Sequence, residues 1–465
     1  MKSYEIQPTM KNLISTYKSD TIERNKHLHY FVDLLETIEG CAALAVDGKW
    51  GCGKTFFVKQ VKMIIDAFNE QTNFLTDEEK ASVLGTWRTF HSNERDRVLK
   101  PQICVYYDAW QHDNDDDPLL SLVYEIYTNV NNDYSFKKSK DGIEKLATIV
   151  DLLSGKNYGE IIKTLRESDD PLSKIKENRS LTENINEFIS SLLAEQGERL
   201  IVFVDELDRC KPTYAVRMLE RIKHYFANEN VTFVFSVNSI ELQHTIKQYY
   251  GANFDACRYL NRFFDLMIPL PKANLQKFYS TIGFSSSYYT YNSVANTVIE
   301  TYGFELREIA KYTQMIKIAA SAPTTSHTRN YDFGFPDGQG RSFCLLAIVP
   351  VVIGLQLYDG KKYSDFISGK EYTPLVEILV RQQYSDWLCS TLLTDKEELK
   401  DSGTGKTVVK LEDKLQELYD ALFNYTYDVS NNYRKYIGKI SIDQNTKKVI
   451  FDAISLLSGY ADYSE

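Results

Sequence analysis

A glycine-rich segment near the start of the chain has the residue types and spacing needed to hold a polyphosphate. Residues 48–55 read Gly-Lys-Trp-Gly-Cys-Gly-Lys-Thr and fit G-x-x-x-x-G-K-[ST] at every fixed position, directly after an apolar run that predicts a strand. Glycines after a strand let the backbone turn tightly and direct its N–H groups toward phosphate oxygens. The sequence therefore predicts a phosphate-binding loop, in which Lys54 reaches the β- and γ-phosphates and the Thr55 hydroxyl holds Mg²⁺. The residues expected to bind nucleotide here are Gly48, Trp50, Gly51, Cys52, Gly53, Lys54, Thr55 and Phe56.

A second apolar run, residues 200–204, ends in the acid pair Asp205 and Glu206. Such a run predicts a central parallel strand, and an NTPase needs carboxylates at such a strand end for the Mg²⁺ shell and the attacking water. We expect Asp205 to hold Mg²⁺ and Glu206 to be the catalytic base, on a strand that neighbours the strand of the phosphate loop. Taken alone, the acid pair is also compatible with an ordinary strand end.

A third apolar run, residues 231–237, ends at Asn238 and Ser239. In P-loop ATPases of the additional-strand type, a polar residue at this place hydrogen-bonds the γ-phosphate or the attacking water, so Asn238 is a catalytic candidate. Asn238 is equally suited to cap the helix that starts near Ile240. The sequence leaves both roles open.

Further segments accompany these motifs in a fixed order. Residues 20–24 precede the loop, 107–112 read Tyr-Asp-Ala-Trp-Gln-His, 204–210 read Val-Asp-Glu-Leu-Asp-Arg-Cys, 259–265 read Tyr-Leu-Asn-Arg-Phe-Phe-Asp, and 306–312 read Leu-Arg-Glu-Ile-Ala-Lys-Tyr. Over roughly residues 15–320 the joint pattern resembles the KAP family of P-loop NTPases, a branch related to the STAND and AAA+ ATPases. The resemblance implies an α/β fold with a parallel sheet of the additional-strand type, ATP as the nucleotide, and a setting in bacterial defence against phage. Two departures are the lack of inserted transmembrane helices and the Asn238 strand end, where the family usually has an acidic residue.

The resemblance also assigns roles to several arginines. Arg24 belongs to the segment that precedes the loop and is expected to contribute to nucleotide binding, and Arg307 to contact the nucleotide from the lid of the same subunit. A neighbouring subunit commonly inserts an arginine at the γ-phosphate in this superfamily. Arg258 is our candidate, with Arg262 and Arg209 as the other choices and an ordinary surface or ion-pair role as the alternative. An arginine supplied in trans implies a homo-oligomer, and the family setting implies an effector or partner protein.

The length of 465 residues predicts more than one domain. We expect an N-terminal segment at 1–40, the NTPase core at 41–272 with a helical insertion at about 119–196, a helical lid at 273–330 and a C-terminal helical module at 331–465. These bounds follow from helical periodicity and from a loop-rich stretch at 321–341.

Composition limits the class of protein. With a formal net charge of −10, the chain lacks an overall basic surface for nucleic acid, although a local basic groove stays open. Seven cysteines without a C-x-x-C pair predict buried thiols in a reducing compartment, hence the cytoplasm. The most apolar segment, 343–355, is shorter than the roughly 20 residues of a spanning helix and is interrupted by Pro350 and Gly354. We expect a core helix or two buried pieces there, and no membrane span.

Two segments imitate functional motifs. Residues 403–407 read Gly-Thr-Gly-Lys-Thr, but Lys400 stands where the first glycine belongs and no strand precedes it, so we reject a second nucleotide site. Residues 113–117 hold four Asp and one Asn without the Gly and Glu of an EF-hand loop, so a solvated acidic turn is preferred over a chelating one.

The motifs together predict a Mg²⁺-dependent ATPase that couples its nucleotide state to oligomerisation or to engagement of a partner. One alternative is a slow-turnover switch that uses bound nucleotide to control an effector protein. A second is a DNA-associated motor, which the acidic balance disfavours.

Overall fold

Parallel strands form the central sheet of the first part of the chain. The strands are β1 (Ala42–Asp47), β2 (Gln102–Asp108), β3 (Arg199–Asp205), β4 (Val231–Val237) and β5 (Leu266–Pro269). They run in the order β2-β3-β4-β1-β5, and every adjacent pair is parallel. This confirms the predicted α/β class and the additional-strand sheet. Our expectation that the loop strand and the acid-pair strand are neighbours is wrong, because β4 is the additional strand and pairs with both β1 and β3.

The computed structural model describes residues 6–91, 99–134, 148–149, 173–226, 228–282, 284, 289–320, 339–401, 403, 405–425, 434–444, 446, 448 and 450–453. The chain divides into two compact units, Ile6–Phe278 and a second unit that includes Tyr279–Glu465. The predicted boundary between lid and C-terminal module, at 330–331, lies outside the described residues.

Helices cover both faces of the sheet in the first unit. The helices of this unit are α1 (Met10–Ser19), α2 (Asn25–Thr37), α3 (Lys54–Phe68), α4 (Asp77–Phe90), α5 (Pro118–Asp133), α6 (Ser173–Gln196), α7 (Pro212–Tyr225), α8 (Ser239–Tyr250) and α9 (Ala256–Leu260), and α10 (Leu275–Thr281) begins in the first unit and ends in the second. The described parts of the predicted insertion, α5 and α6, are helical as expected. Asp117 begins α5 by accepting a hydrogen bond from the N–H of Leu119 (2.8 Å), and Pro118 occupies the first turn, where no N–H is needed.

Two apolar layers bury the sheet. Along β3, Val202 and Val204 belong to the layer that contains α5, α6 and α7, while Ile201 and Phe203 belong to the layer that contains α2, α3 and α4. Successive strand residues point to opposite faces, so a continuous apolar run buries both faces at once. Because the paired strands are all parallel, their carboxyl ends lie at a single edge of the sheet.

The second unit is mainly helical. Its elements are α11 (Tyr289–Tyr302), α12 (Leu306–Ala320), α13 (Gln339–Phe343), α14 (Val349–Tyr358), α15 (Gly360–Ile367), α16 (Thr373–Leu379), α17 (Ser385–Leu392), α18 (Leu411–Tyr419) and the short strand pairs Glu397–Glu398 with Thr407–Val408 and Lys435–Ile437 with Ile440–Ile442. Thr407 thus begins a strand, whereas a phosphate loop leads into a helix. This agrees with the rejection of residues 403–407 as a nucleotide site, although the expectation that no strand precedes them is wrong, because Glu397–Glu398 is a short strand.

The apolar segment near residue 350 forms a continuous helix, the first of the two expected alternatives. A π-helical turn, Cys344–Ile348, joins α13 to α14 and brings the chain past Pro350, which has no N–H to donate to the helix. Gly354 lets α11 approach closely, since an added methyl group would overlap Val298. Among the described residues, Gly340–Tyr358 is a helix with the length and apolar character of a membrane span, but 67% of its most apolar window is buried in the protein. Burial of this kind is typical of a core helix.

Candidate nucleotide-binding site

The predicted phosphate loop joins β1 to α3 and has the backbone that its glycines permit. Gly51 and Gly53 have φ values of 81° and 98°, a region that side chains disfavour. A methyl group on Gly48 would lie 2.8 Å from the sulfur of Cys52. The two ends of the loop therefore pack closely together, and its tight turns need glycine, as expected for a phosphate-binding loop.

Helix α3 begins at Lys54, so its first N–H groups point toward the loop. Lys54 is 8% exposed, and its ammonium donates to the carbonyls of Gly48 (2.5 Å) and Lys49 (3.1 Å). Thr55 and Phe56 are half-buried in the first turn of the helix. The donors present, one ammonium, one hydroxyl and the backbone amides of a helix start, fit a phosphate chain and its Mg²⁺.

The Arg24 side chain contacts the backbone of the phosphate loop. The Arg24 side chain is almost completely buried, and its Nη1 donates to the carbonyl of Cys52 (2.8 Å). The turn before Arg24 is strained, because Asp20 and Glu23 have positive φ values of 46° and 56°. Arg24 thus stabilises the loop through the carbonyl of Cys52, and its contact with nucleotide stays a prediction.

The acid pair lies at the carboxyl end of β3. Asp205 is fully buried; its Oδ2 accepts a hydrogen bond from the Tyr106 hydroxyl (2.8 Å), and its Oδ1 accepts one from the N–H of Glu206 (2.9 Å). Each of these bonds uses one lone pair of a carboxylate oxygen. Asp205 therefore has a fixed orientation and retains acceptor capacity for a cation.

Glu206 has the electrostatics of a base that titrates near neutrality. Its backbone is left-handed (φ 60°), and its Oε2 lies 2.6 Å from the Nε of Arg209. Burial, followed by repulsion from Asp205, raises the pKa of Glu206 to about 7, with Arg209 acting in the opposite direction. A carboxylate of this kind can accept a proton at physiological pH.

A hydrogen bond connects the loop to the turn that follows the acid pair. The indole Nε1 of Trp50 donates to Oδ2 of Asp208 at 2.5 Å. Asp208 is 4% exposed, and burial raises its pKa, while the bond from Trp50 acts in the opposite direction. The loop and the acid-bearing segment are therefore in direct contact although β4 separates their strands.

Residues 26–297 match the KAP family P-loop domain, a stretch that covers more than half of the chain and includes the predicted motifs except the segments at 20–24 and 306–312. The chain belongs to the KAP family of P-loop NTPases. The predicted family is thereby confirmed, and with it a nucleotide-binding domain.

Other similarities of this KAP NTPase are more distant. An uncharacterized protein of Methanocaldococcus jannaschii is 26% identical over 164 residues, covering 27% of this chain and 84% of that protein. Among solved structures, the Aeropyrum pernix Orc1 protein in complex with DNA gives 14% identity and a TM-score of 0.33, covering 93% of this chain and 92% of that one. PCH-2 of C. elegans gives 10% identity and a TM-score of 0.23, covering 87% and 71%.

The remaining predicted site residues of the KAP NTPase are the arginines and Asn238, which directly follows Val237, whose carbonyl accepts a hydrogen bond from the N–H of Gly48 (3.1 Å). Asn238 accepts a hydrogen bond from the N–H of Glu241 (3.5 Å) and begins α8, so the structure has the capping arrangement, and its sensor role stays a prediction. Arg258 and Arg262 are exposed on the first unit. Arg307 is exposed near the start of α12 in the second unit. The predicted nucleotide and trans contacts of these arginines stay predictions.

Sequence reasoning missed three side chains of this site. Tyr106 binds Asp205, Asp208 binds Trp50, and Lys59 lies over the Tyr106 ring with Nζ 4.2 Å from its centroid. Burial lowers the pKa of Lys59, while Asp205 acts in the opposite direction. Only Asp208 carried a local signal, because it belongs to the acidic signature three residues after Asp205.

The acidic turn at 113–117 is tied to α7 by cations. Arg221 Nη2 lies 2.9 Å from Asp117 Oδ2, Lys211 donates to the side chain of Asn114, and Arg217 donates to the carbonyl of Asp116 (2.9 Å). The sequence predicted a solvated acidic turn, and it did not predict these contacts with cations. Among the described residues, no group of three His, Cys, Asp or Glu is arranged to hold a metal ion.

Proposed function

We propose that this KAP NTPase binds ATP with Mg²⁺ and hydrolyses it, and that its nucleotide state controls self-assembly or engagement of a partner protein. The setting we propose is bacterial anti-phage defence in the cytoplasm. The observation that carries the proposal is the 2.5 Å hydrogen bond from Trp50 to Asp208, because it joins the phosphate loop to the segment that bears the acid pair.

Each group has a role in this proposal. The amides of the loop and Lys54 would bind the phosphates, and Thr55 and Asp205 would hold Mg²⁺, whose charge would neutralise charge on the phosphate oxygens. Glu206 would accept a proton from the attacking water. Its half-buried position beside Asp205, which raises its pKa to about 7, supports this role.

Assembly would add a cation to the site. Arg258 and Arg262 are exposed on and just after α9, where a neighbouring copy could receive them. A guanidinium inserted from a neighbour would stabilise charge that develops on the γ-phosphate. Hydrolysis would then depend on protein concentration.

The test compares variants of the full chain by phosphate release, by binding of a fluorescent ATP analogue, and by mass photometry with ADP, ATP and a nonhydrolysable analogue. Lys54→Ala should lose nucleotide binding. Glu206→Gln should bind ATP and release phosphate at least about 100-fold more slowly than the wild type. Lys406→Ala alters the corresponding lysine of the imitation motif at 403–407 and should behave as the wild type.

Three outcomes separate the candidate functions. Failure of Lys54→Ala to reduce binding would overturn the proposed site. If Glu206→Gln keeps every nucleotide-dependent change in mass, the slow-turnover switch is supported over coupling to hydrolysis. An unchanged mass in all nucleotide states would overturn the assembly part of the proposal.

A further inference from the structure

Arg209 is the cation in closest contact with the proposed base. Its Nε lies 2.6 Å from Oε2 of Glu206, and the two side chains are only 24% and 19% exposed. Ion pairs on an open surface contribute little and are mobile, whereas a shielded, charge-assisted hydrogen bond fixes the geometry of both partners. The orientation of the Glu206 carboxylate is therefore set by Arg209.

Two indoles hold the guanidinium of Arg209. Its Cζ lies 5.8 Å from the ring centroid of Trp50 and 5.4 Å from that of Trp110, within the range of cation–π attraction. The two rings come from different segments, the Trp50 ring being bonded to a carboxylate and Trp110 being held through its backbone. Trp50 donates through Nε1 to Asp208, and the backbone N–H of Trp110 donates to Oδ1 of Asp108 (3.1 Å).

We propose that Arg209 is a positioning residue that holds the Glu206 carboxylate for hydrolysis, and that Trp50 and Trp110 hold Arg209 in turn. This inference rests on the proposed function. The ion pair occupies Oε2 and leaves Oε1 to accept a hydrogen bond from water.

The backbone explains why a separate positioning group is needed. Glu206 has a positive φ, and the 3-10 turn Leu207–Arg209 that follows brings Arg209 back over it. A glutamate has several side-chain rotamers, and a base must stay within hydrogen-bond reach of its water. Because Trp50 belongs to the phosphate loop, the same contacts link the position of the base to the loop.

Kinetics of full-length variants test the role of Arg209. Arg209→Gln should lower kcat by about 10- to 100-fold, while KM and the equilibrium affinity for ATP stay within about threefold, because the lost contact acts on the base and not on nucleotide binding. Arg209→Lys keeps the charge without the planar guanidinium and should recover part of the loss. Arg217→Gln is the matched control, since Arg217 pairs with Asp117 (3.6 Å) away from Glu206, and its kcat should stay within about twofold.

A nucleotide-free measurement tests the indole contacts. In protein labelled with 5-fluorotryptophan, Glu206→Gln removes the anion that Arg209 binds and should shift the ¹⁹F resonances of Trp50 and Trp110. The resonances of Trp87 and Trp387, the other two of the four tryptophans, should not move. Substitution of each tryptophan by phenylalanine assigns the signals.

The inference is wrong if Arg209→Gln turns over as fast as the wild type, if Arg217→Gln loses as much activity, or if Glu206→Gln leaves both resonances in place. In each of these cases a wild type that hydrolyses ATP still supports the proposed function. A wild type that binds ATP without releasing phosphate overturns the proposed function instead.

Discussion

Replacing Gly48 by alanine should weaken ATP binding, because the added methyl group would lie 2.8 Å from the sulfur of Cys52. Ordinary contacts of such a carbon are longer by more than half an ångström, and Cys52 is only 6% exposed, so the sulfur has little room to move. Overpacking of this kind costs about 1–3 kcal/mol. If the whole cost falls on the nucleotide-binding shape of the loop, the Kd for Mg-ATP rises by about 5- to 150-fold.

The double variant Gly48→Ala with Cys52→Ala removes the sulfur and should recover most of the lost affinity. Coupling between two groups in contact is what a double-mutant cycle measures. Calorimetric titration of Mg-ATP into the wild type, both single variants and the double variant gives the four affinities needed. Gly85→Ala is the matched control, since an added methyl group on Gly85 of α4 would contact no atom within 4 Å. Wild-type affinity in Gly48→Ala, or a double variant as weak as the single one, would refute the steric reasoning.

Two further predictions concern buried hydrogen bonds. His29 bonds His91 (2.9 Å), and burial, followed by His91, lowers the pKa of His29 to about 3, so below pH 6.5 the unfolded chain binds a proton that the folded one does not. The free energy of unfolding should therefore decrease by about 2 kcal/mol as the pH is lowered from 7 to 5. Denaturant midpoints should show a smaller decrease in His29→Gln, and an equal decrease in both proteins would contradict the assignment. Tyr106→Phe removes the hydroxyl that donates to Asp205 and should raise the Mg²⁺ concentration for half-maximal hydrolysis about tenfold, leaving Mg²⁺-free nucleotide affinity unchanged. An unchanged Mg²⁺ requirement would remove Tyr106 from the site.

The parts of the site that could be predicted from sequence are those whose chemistry is local. The phosphate loop is formed by the consecutive residues 48–55, so their types and spacing suffice to predict it. The acid pair was predictable because a buried strand ends there. The insertion of β4 between β1 and β3 was not, since strand order results from long-range packing that no local motif encodes.

Local rules also left two alternatives open for the segment around Pro350, a core helix or two buried pieces. The sequence shows a residue without an N–H inside an apolar run, which ordinarily ends or kinks a helix. The structure absorbs it with a π-helical turn at Cys344–Ile348, and the hydroxyl of Tyr312 donates to the carbonyl of Pro350 (3.0 Å). Packing in the core thus outweighs a local propensity.

Strand register accounts for the side chains that sequence reasoning missed. Asp108 lies opposite Asp205 in the parallel pairing of β2 and β3, which brings the Tyr106 hydroxyl to Asp205 from 99 residues away in the chain. A slip of one residue would turn Tyr106 to the other face of the sheet and leave Asp205 without this donor. Register is specified by the apolar layers on both faces, because any slip would exchange the side chains between them. The hydrophobic packing of the sheet therefore determines which polar groups complete the acid-pair end of the site, and the motifs alone could not have identified them.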